Sequence, residues 1–99
     1  MARFDVHRDR DGSLLLDVQT DSLPYLAIRL MVPLFAIEVA PHPLIATLNP
    51  VFQFAGGEVA MMTQYAGAVP QKVLGPVLGS LAAEACAIGR ALDMLITGI

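Results

Sequence analysis

Arg3-Phe4-Asp5-Val6-His7, Arg8-Asp9-Arg10-Asp11-Gly12 and Ser13-Leu14-Leu15-Leu16-Asp17-Val18-Gln19-Thr20 follow one another near the start of the chain. The first segment sets Phe4 and Val6 against Arg3, Asp5 and His7, the period-two pattern of a strand with one buried face. The second is polar and ends in Asp-Gly, a pair that favours tight hairpin turns. The third places Leu14, Leu16 and Val18 on one face and Leu15, Asp17 and Gln19 on the other. Together the three segments predict an antiparallel β-hairpin.

Working outward, Arg29 to Leu34 reads as a third strand, ended or pushed to a sheet edge by Pro33, which lacks the N–H a ladder needs. From Ala36 to Pro50 the pattern is irregular and punctuated by Pro41, Pro43 and Pro50, so short edge strands and loops are expected. Val51 to Ala55 and Glu58 to Thr63 flank Gly56-Gly57 and predict a second hairpin. Val69-Pro70 precedes another short apolar stretch, Lys72 to Leu74. Many short strands with frequent turn signals predict a mainly β fold, a small barrel or sandwich, in one domain over residues 1–99. The period then changes. On a helical wheel Leu81, Ala85, Ile88, Leu92, Leu95 and Ile96 fall within an arc of about 100°. Ser80 to Thr97 is therefore predicted as one amphipathic helix, with Ser80 as its cap, Glu84 in its first turn and Gly98 as its stop.

Of the 99 residues, 56% are apolar, against a usual level of about 45–50%. A chain this short buries only about two-thirds of the surface it exposes when unfolded. The excess needs a partner or a membrane. The N-terminus is charged and has no apolar run, so it does not read as a signal peptide. The longest apolar stretch, Val73 to Ile99, is broken by Pro76 and carries Glu84, Arg90 and Asp93, which excludes a spanning helix. A symmetric homodimer is the commonest alternative. The net charge is −3, with six basic residues and no basic stripe, so direct nucleic-acid binding is disfavoured. The single cysteine, Cys86, excludes an internal disulfide and a zinc-binding cysteine cluster, and fits a reducing cytoplasm.

Signals for catalysis are poor. His7 lies in an early strand and His42 between two prolines, and both read as ordinary surface histidines. Cys86 has no histidine at helical spacing to activate it as a nucleophile. Gly56-Gly57 is a turn pair with no phosphate-loop pattern around it. No metal, cofactor or enzymatic site is expected. Met61-Met62 reads as core or interface filling, and Met94 falls on the polar side of the wheel. The alternating charges of Arg8 to Asp11 read first as a solvated loop tip, with partner recognition as the alternative.

Read in order, the motifs form a series: Phe4-x-Val6, Asp17-Val18-Gln19-Thr20-Asp21, Arg29-Leu30-Met31-Val32-Pro33-Leu34, Leu48-Asn49-Pro50-Val51, Met61-Met62-Thr63, Ala68-Val69-Pro70, and a helix ending Thr97-Gly98-Ile99. This series resembles the CcdB family, the toxins of bacterial toxin–antitoxin pairs, over the whole chain. The resemblance implies an SH3-like antiparallel barrel with one long C-terminal helix, paired as a two-fold homodimer. It implies two further partners, the gyrase A subunit and a CcdA-like antitoxin whose disordered segment wraps the dimer. Carried over by position, the gyrase-contacting residues are Ser22, Asp93, Ile96, Thr97, Gly98 and Ile99. Arg8 and Arg10 are the candidates for antitoxin binding. The chain departs from the pattern at Ile96-Thr97, where the family's toxic form has Phe-Trp with the indole stacked on a target arginine. Two alternatives follow: a non-toxic homologue, and a MazF-like endoribonuclease on the same fold, whose chemistry would fall to the Arg8–Asp11 loop, Arg29 and His7.

Overall fold

The computed structural model describes residues 2–98. Among these residues seven strands form one antiparallel sheet: β1 (Asp5–Arg8), β2 (Leu14–Asp17), β3 (Ile28–Ala36), β4 (Val51–Phe54), β5 (Gly57–Met61), β6 (Gly67–Pro70) and β7 (Val77–Ser80). The order is β4-β5-β3-β2-β1-β7, with β6 also paired to β3. One α-helix among the described residues, α1 (Ala85–Thr97), follows the last strand.

The first hairpin forms as its sequence predicts. Val6 pairs with Leu16 and His7 with Leu15, and Gly12 takes the positive φ of 88° that the turn requires. The strand begins at Asp5 rather than Arg3, because Phe4 has φ 75°. Its N–H donates to Asp17 O at 2.7 Å and its carbonyl accepts from Leu81 N–H at 2.8 Å, so Phe4 ties two parts of the sheet together. In the second hairpin the two-residue turn is Ala55-Gly56, with φ 52° and 83°, the sign pattern of a type I′ turn. Gly57 already pairs with Phe54 in the ladder.

Pro33 neither ends β3 nor lies at an edge. It stands inside a nine-residue strand that pairs with β2 along one side. On the other side Ile28–Met31 pair with β6 and Leu34–Ala36 with β5. The missing N–H falls in the gap where one partner strand gives way to the other, and the Pro33 carbonyl there accepts from Met62 N–H at 3.0 Å. The short edge strands expected between Ala36 and Pro50 are also absent. That segment is turns and bends, held by buried Asn49. Its side chain accepts from Ile45 N–H at 3.0 Å and donates to Met61 O at 3.1 Å and Gln64 Oε1 at 2.7 Å.

The sheet curls until its two ends meet. A Cβ at Gly79 in β7 would stand 3.0 Å from the Phe54 ring of β4, so glycine there lets the half-barrel close. Inside the curl, Val6, Leu16, Val32, Leu34, Phe52 and Met61 pack against Leu81, Ile88 and Ala91. The alternate face of the central strands is buried as well: His7, Leu15, Asp17, Arg29 and Met31 are all nearly inaccessible.

Helix α1 starts later than its periodicity predicts. Leu81 N–H is still bonded to the sheet through Phe4 O, and Ser80 belongs to β7. Ala82–Glu84 make a 3₁₀ turn, whose Ala82 N–H donates to Ser80 Oγ at 3.1 Å. Ser80 thus holds the start of this turn and does not cap the α-helix, whose N-cap position is taken by Glu84 rather than Glu84 standing in its first turn. Gly98 does stop the helix, at φ 77° with its N–H on Met94 O at 3.0 Å.

Candidate partner-binding surface

The last turn and a half of α1 leaves the core. Ile88 and Ala91 are 0% exposed, whereas Leu95 is 43% and Ile96 76% exposed. Asp93, Thr97 and Gly98 are exposed too. Thr97 Oγ1 donates to Asp93 O at 2.7 Å, the back-bond by which a threonine inside a helix satisfies its hydroxyl. Ile99 lies outside the described residues. Asp93, Ile96, Thr97 and Gly98 therefore form one exposed end.

Ser22 is exposed in the loop between β2 and β3, with its N–H on Thr20 Oγ1 at 3.2 Å. No hydrogen bond or ion pair joins it to the helix end among the described residues. Arg8 and Arg10 lie at the opposite end of β2. Arg8 Nη1 donates to Gly12 O at 3.2 Å, folding the turn on itself. Arg10 is exposed, and its side chain makes no hydrogen bond or ion pair among the described residues. Asp11 in the same turn accepts from the Ser13 hydroxyl and from Ser13 N–H, and these bonds hold its carboxyl below the ordinary aspartate range.

Between the two ends lies a network the periodicity did not reveal. Arg29 is 2% exposed and Asp17 0%. Arg29 Nε donates to Asp17 Oδ2 at 2.7 Å, and Nη2 reaches Gln19 O and Asp21 Oδ1, each at 3.4 Å. The Asp17 hydrogen bond raises the guanidinium pKa, burial opposes it, and the charges of Asp17 and Asp21 add to the rise. The available signal was Asp17 and Arg29 standing among apolar neighbours in two consecutive strands.

His7 is not a surface histidine. It is 1% exposed, Nδ1 donates to Gly75 O at 3.0 Å, and Nε2 has no hydrogen-bond partner among the described residues. Gly75 is required there because a Cβ would collide with the Arg8 carbonyl. His42 is exposed, as is Cys86. Met61 and Met62 are buried at 0% and 1%, as core filling, and Met94 is half-buried. Among the described residues no three His, Cys, Asp or Glu side chains cluster as metal ligands. No described helix is long and apolar enough to cross a membrane.

No curated protein matches the chain by sequence. Among solved structures, an endoribonuclease from a mycobacterial species superposes with a TM-score of 0.74, covering 95% of this chain and 88% of the other at 18% identity. That degree of identity shows a shared fold and no more. The model of the CcdB protein family matches residues 3–98. The match, the curled antiparallel sheet and the single C-terminal helix agree, and the chain belongs to the CcdB family of toxin–antitoxin toxins.

Proposed function

We propose that this protein is a cytoplasmic toxin that acts by binding, without catalysis. As a two-fold homodimer it binds the gyrase A subunit through its paired helix ends, and a CcdA-like antitoxin removes it. The observation that carries the reading is the exposed apolar end of α1, Leu95 and Ile96, continuing a stripe that is fully buried at Ile88 and half-buried at Leu92. An apolar surface rimmed by polar residues marks an interaction site. Ser22 from the β2–β3 loop and Asp93, Thr97, Gly98 and Ile99 complete the proposed contact, with Arg8 and Arg10 assigned to the antitoxin.

Further exposed apolar residues, among them Ile28, Leu30, Val77 and Leu78, support burial against a second copy. Sedimentation at micromolar concentration should show a dimer; a monomer would count against the proposal.

The endoribonuclease reading has the shared fold behind it, but two of the groups available for it, His7 and Arg29, are already engaged. His7 is buried beneath Gly75, and the Arg29 charge is balanced by Asp17. A general acid or base must reach its substrate. The non-toxic reading rests on Thr97, which offers no aromatic face. One titration separates the three: wild type and a deletion of residues 97–99 against a gyrase A fragment, with single-stranded RNA incubated in parallel. Wild type should bind, the deletion should not, and the RNA should stay intact. Cleavage abolished by changing His7 or an arginine of the 8–10 loop favours the ribonuclease.

A further inference from the structure

Ser22 follows directly on a side chain that two arginine residues hold. Asp21 Oδ1 accepts the Arg3 amide N–H at 2.9 Å and lies 3.4 Å from Arg29 Nη2. The loop before it is fastened in the same way. Arg3 Nε donates to Val18 O at 3.1 Å, and Arg29 Nη2 reaches Gln19 O at 3.4 Å. The Gln19 side chain accepts from Leu30 N–H at 3.1 Å and donates to Ile28 O at 3.3 Å. From Ser22 to Leu26 the hydrogen bonds are local, Ser22 N–H on Thr20 Oγ1 and Leu26 N–H on Leu23 O at 3.4 Å, and the next tie to the rest of the fold is at Ala27, whose carbonyl accepts from Gln71 N–H at 2.8 Å. Asp21 is the last anchor before Ser22.

The anchor stands on a rigid base. Arg29 is fixed by buried Asp17, so its second carboxylate contact is not needed to neutralise it. Asp21 is 60% exposed, and ion pairs at such positions add little to stability. A recess of about 330 Å³, lined by Asp21, Pro24, Arg29 and Gln71, leaves the loop room to shift if this tie is cut. We infer that Asp21 is a positioning residue: it presents Ser22 to the partner by holding the β2–β3 loop on Arg29 and the Arg3 amide. The inference rests on the reading of Ser22 as a partner contact.

Its test compares wild type, Asp21→Asn and Asp21→Ala. Asparagine keeps the bonded Oδ1 as an amide carbonyl and loses the charge; alanine loses the acceptor. Amide order parameters of Ser22 and Leu23 should stay near the rigid value of about 0.85 in wild type and Asp21→Asn and fall below about 0.6 in Asp21→Ala. The Arg3 amide should exchange at least about tenfold faster in the alanine variant, as expected when its acceptor is lost. Affinity for the gyrase A fragment should fall severalfold in Asp21→Ala and be recovered in Asp21→Asn. Unchanged loop order in Asp21→Ala overturns the inference. Equal loss of binding in both variants also overturns it, since the charge itself would then touch the partner. If wild type does not bind gyrase A, the functional reading fails by itself, and the loop measurements still decide whether Asp21 positions Ser22.

Discussion

The two halves of α1 share one apolar stripe and have opposite fates. Ile88 and Ala91 lie at 0% exposure against Leu16, Val32 and Met61, whereas Leu95 and Ile96 stand at 43% and 76%. A helical wheel cannot separate Leu95 from Ile88, about 20° away, because it records direction around the axis and not what lies opposite; Ile96 stands further round, about 140° from Ala91. The sheet covers the stripe only over the first part of the helix, so the remainder is surface that another molecule can use. On the proposed function, stability and recognition are separated along a single element, and substitutions at the two ends should act on different measurements.

The hardest test of that separation lies off the helix, in the base the sheet provides. Arg29→Ala leaves the Asp17 carboxylate buried without its partner, and removing one member of a buried pair costs about 3–5 kcal/mol. Denaturant midpoints should register most of this, and a variant as stable as wild type breaks the account of the network. Ile88→Ala removes a fully buried side chain from the inner half of α1 and should cost about 2–5 kcal/mol. Its gyrase affinity per folded molecule should be unchanged. Thr97→Trp supplies the aromatic face that the outer half lacks. It should tighten gyrase binding up to about tenfold, the equivalent of a cation–π contact of about 1.4 kcal/mol, and leave unfolding where it was.

Ile96→Ala should shift stability by no more than about 0.5 kcal/mol while weakening gyrase binding. If it instead destabilises like Ile88→Ala, the outer half belongs to the core of the dimer and the comparison collapses. The smallest effect is expected at the exposed turn. Asp11 has its folded-state pKa depressed by the Ser13 bonds, so its contribution is present above the ordinary aspartate value of about 3.9 and is lost as pH falls through the lower folded value. Asp11→Asn should show none of this pH dependence, and the difference from wild type should shrink to nothing below that range.

Legibility differed from element to element for physical reasons. Asp11-Gly12 and the glycines at 56 and 98 could be read directly, because a positive φ is a local requirement that residue type reveals. The β2 alternation could be read too, yet it did not say that both faces are buried: covering the second face is the work of distant segments such as Gly75, whose carbonyl meets His7. Pro33 misled for the same reason. Whether a missing N–H is harmful depends on what stands beside the strand, and beside β3 one partner ends where another begins. Of the proposed contact, the exposed end of the helix was foreseeable as an apolar stripe ending in glycine. The Asp21 anchor was not, since Arg3 and Arg29 reach it from 18 and 8 residues away.

What the residues determined by themselves was the class of the fold: antiparallel hairpins at Asp11-Gly12 and around Gly56, a change to helical period near the C-terminus, and more apolar side chain than 99 residues conceal. These depend on interactions between near neighbours, whose energies do not change with the rest of the chain. Only the tertiary structure decided where that apolar surplus emerges, which charges are buried as a pair, and where the α-helix can begin. Leu81 remains hydrogen-bonded to the sheet through Phe4, so α1 starts only when the chain is released from it. Each of these outcomes is set by how far the curled sheet reaches, and that reach comes from contacts between residues distant in sequence.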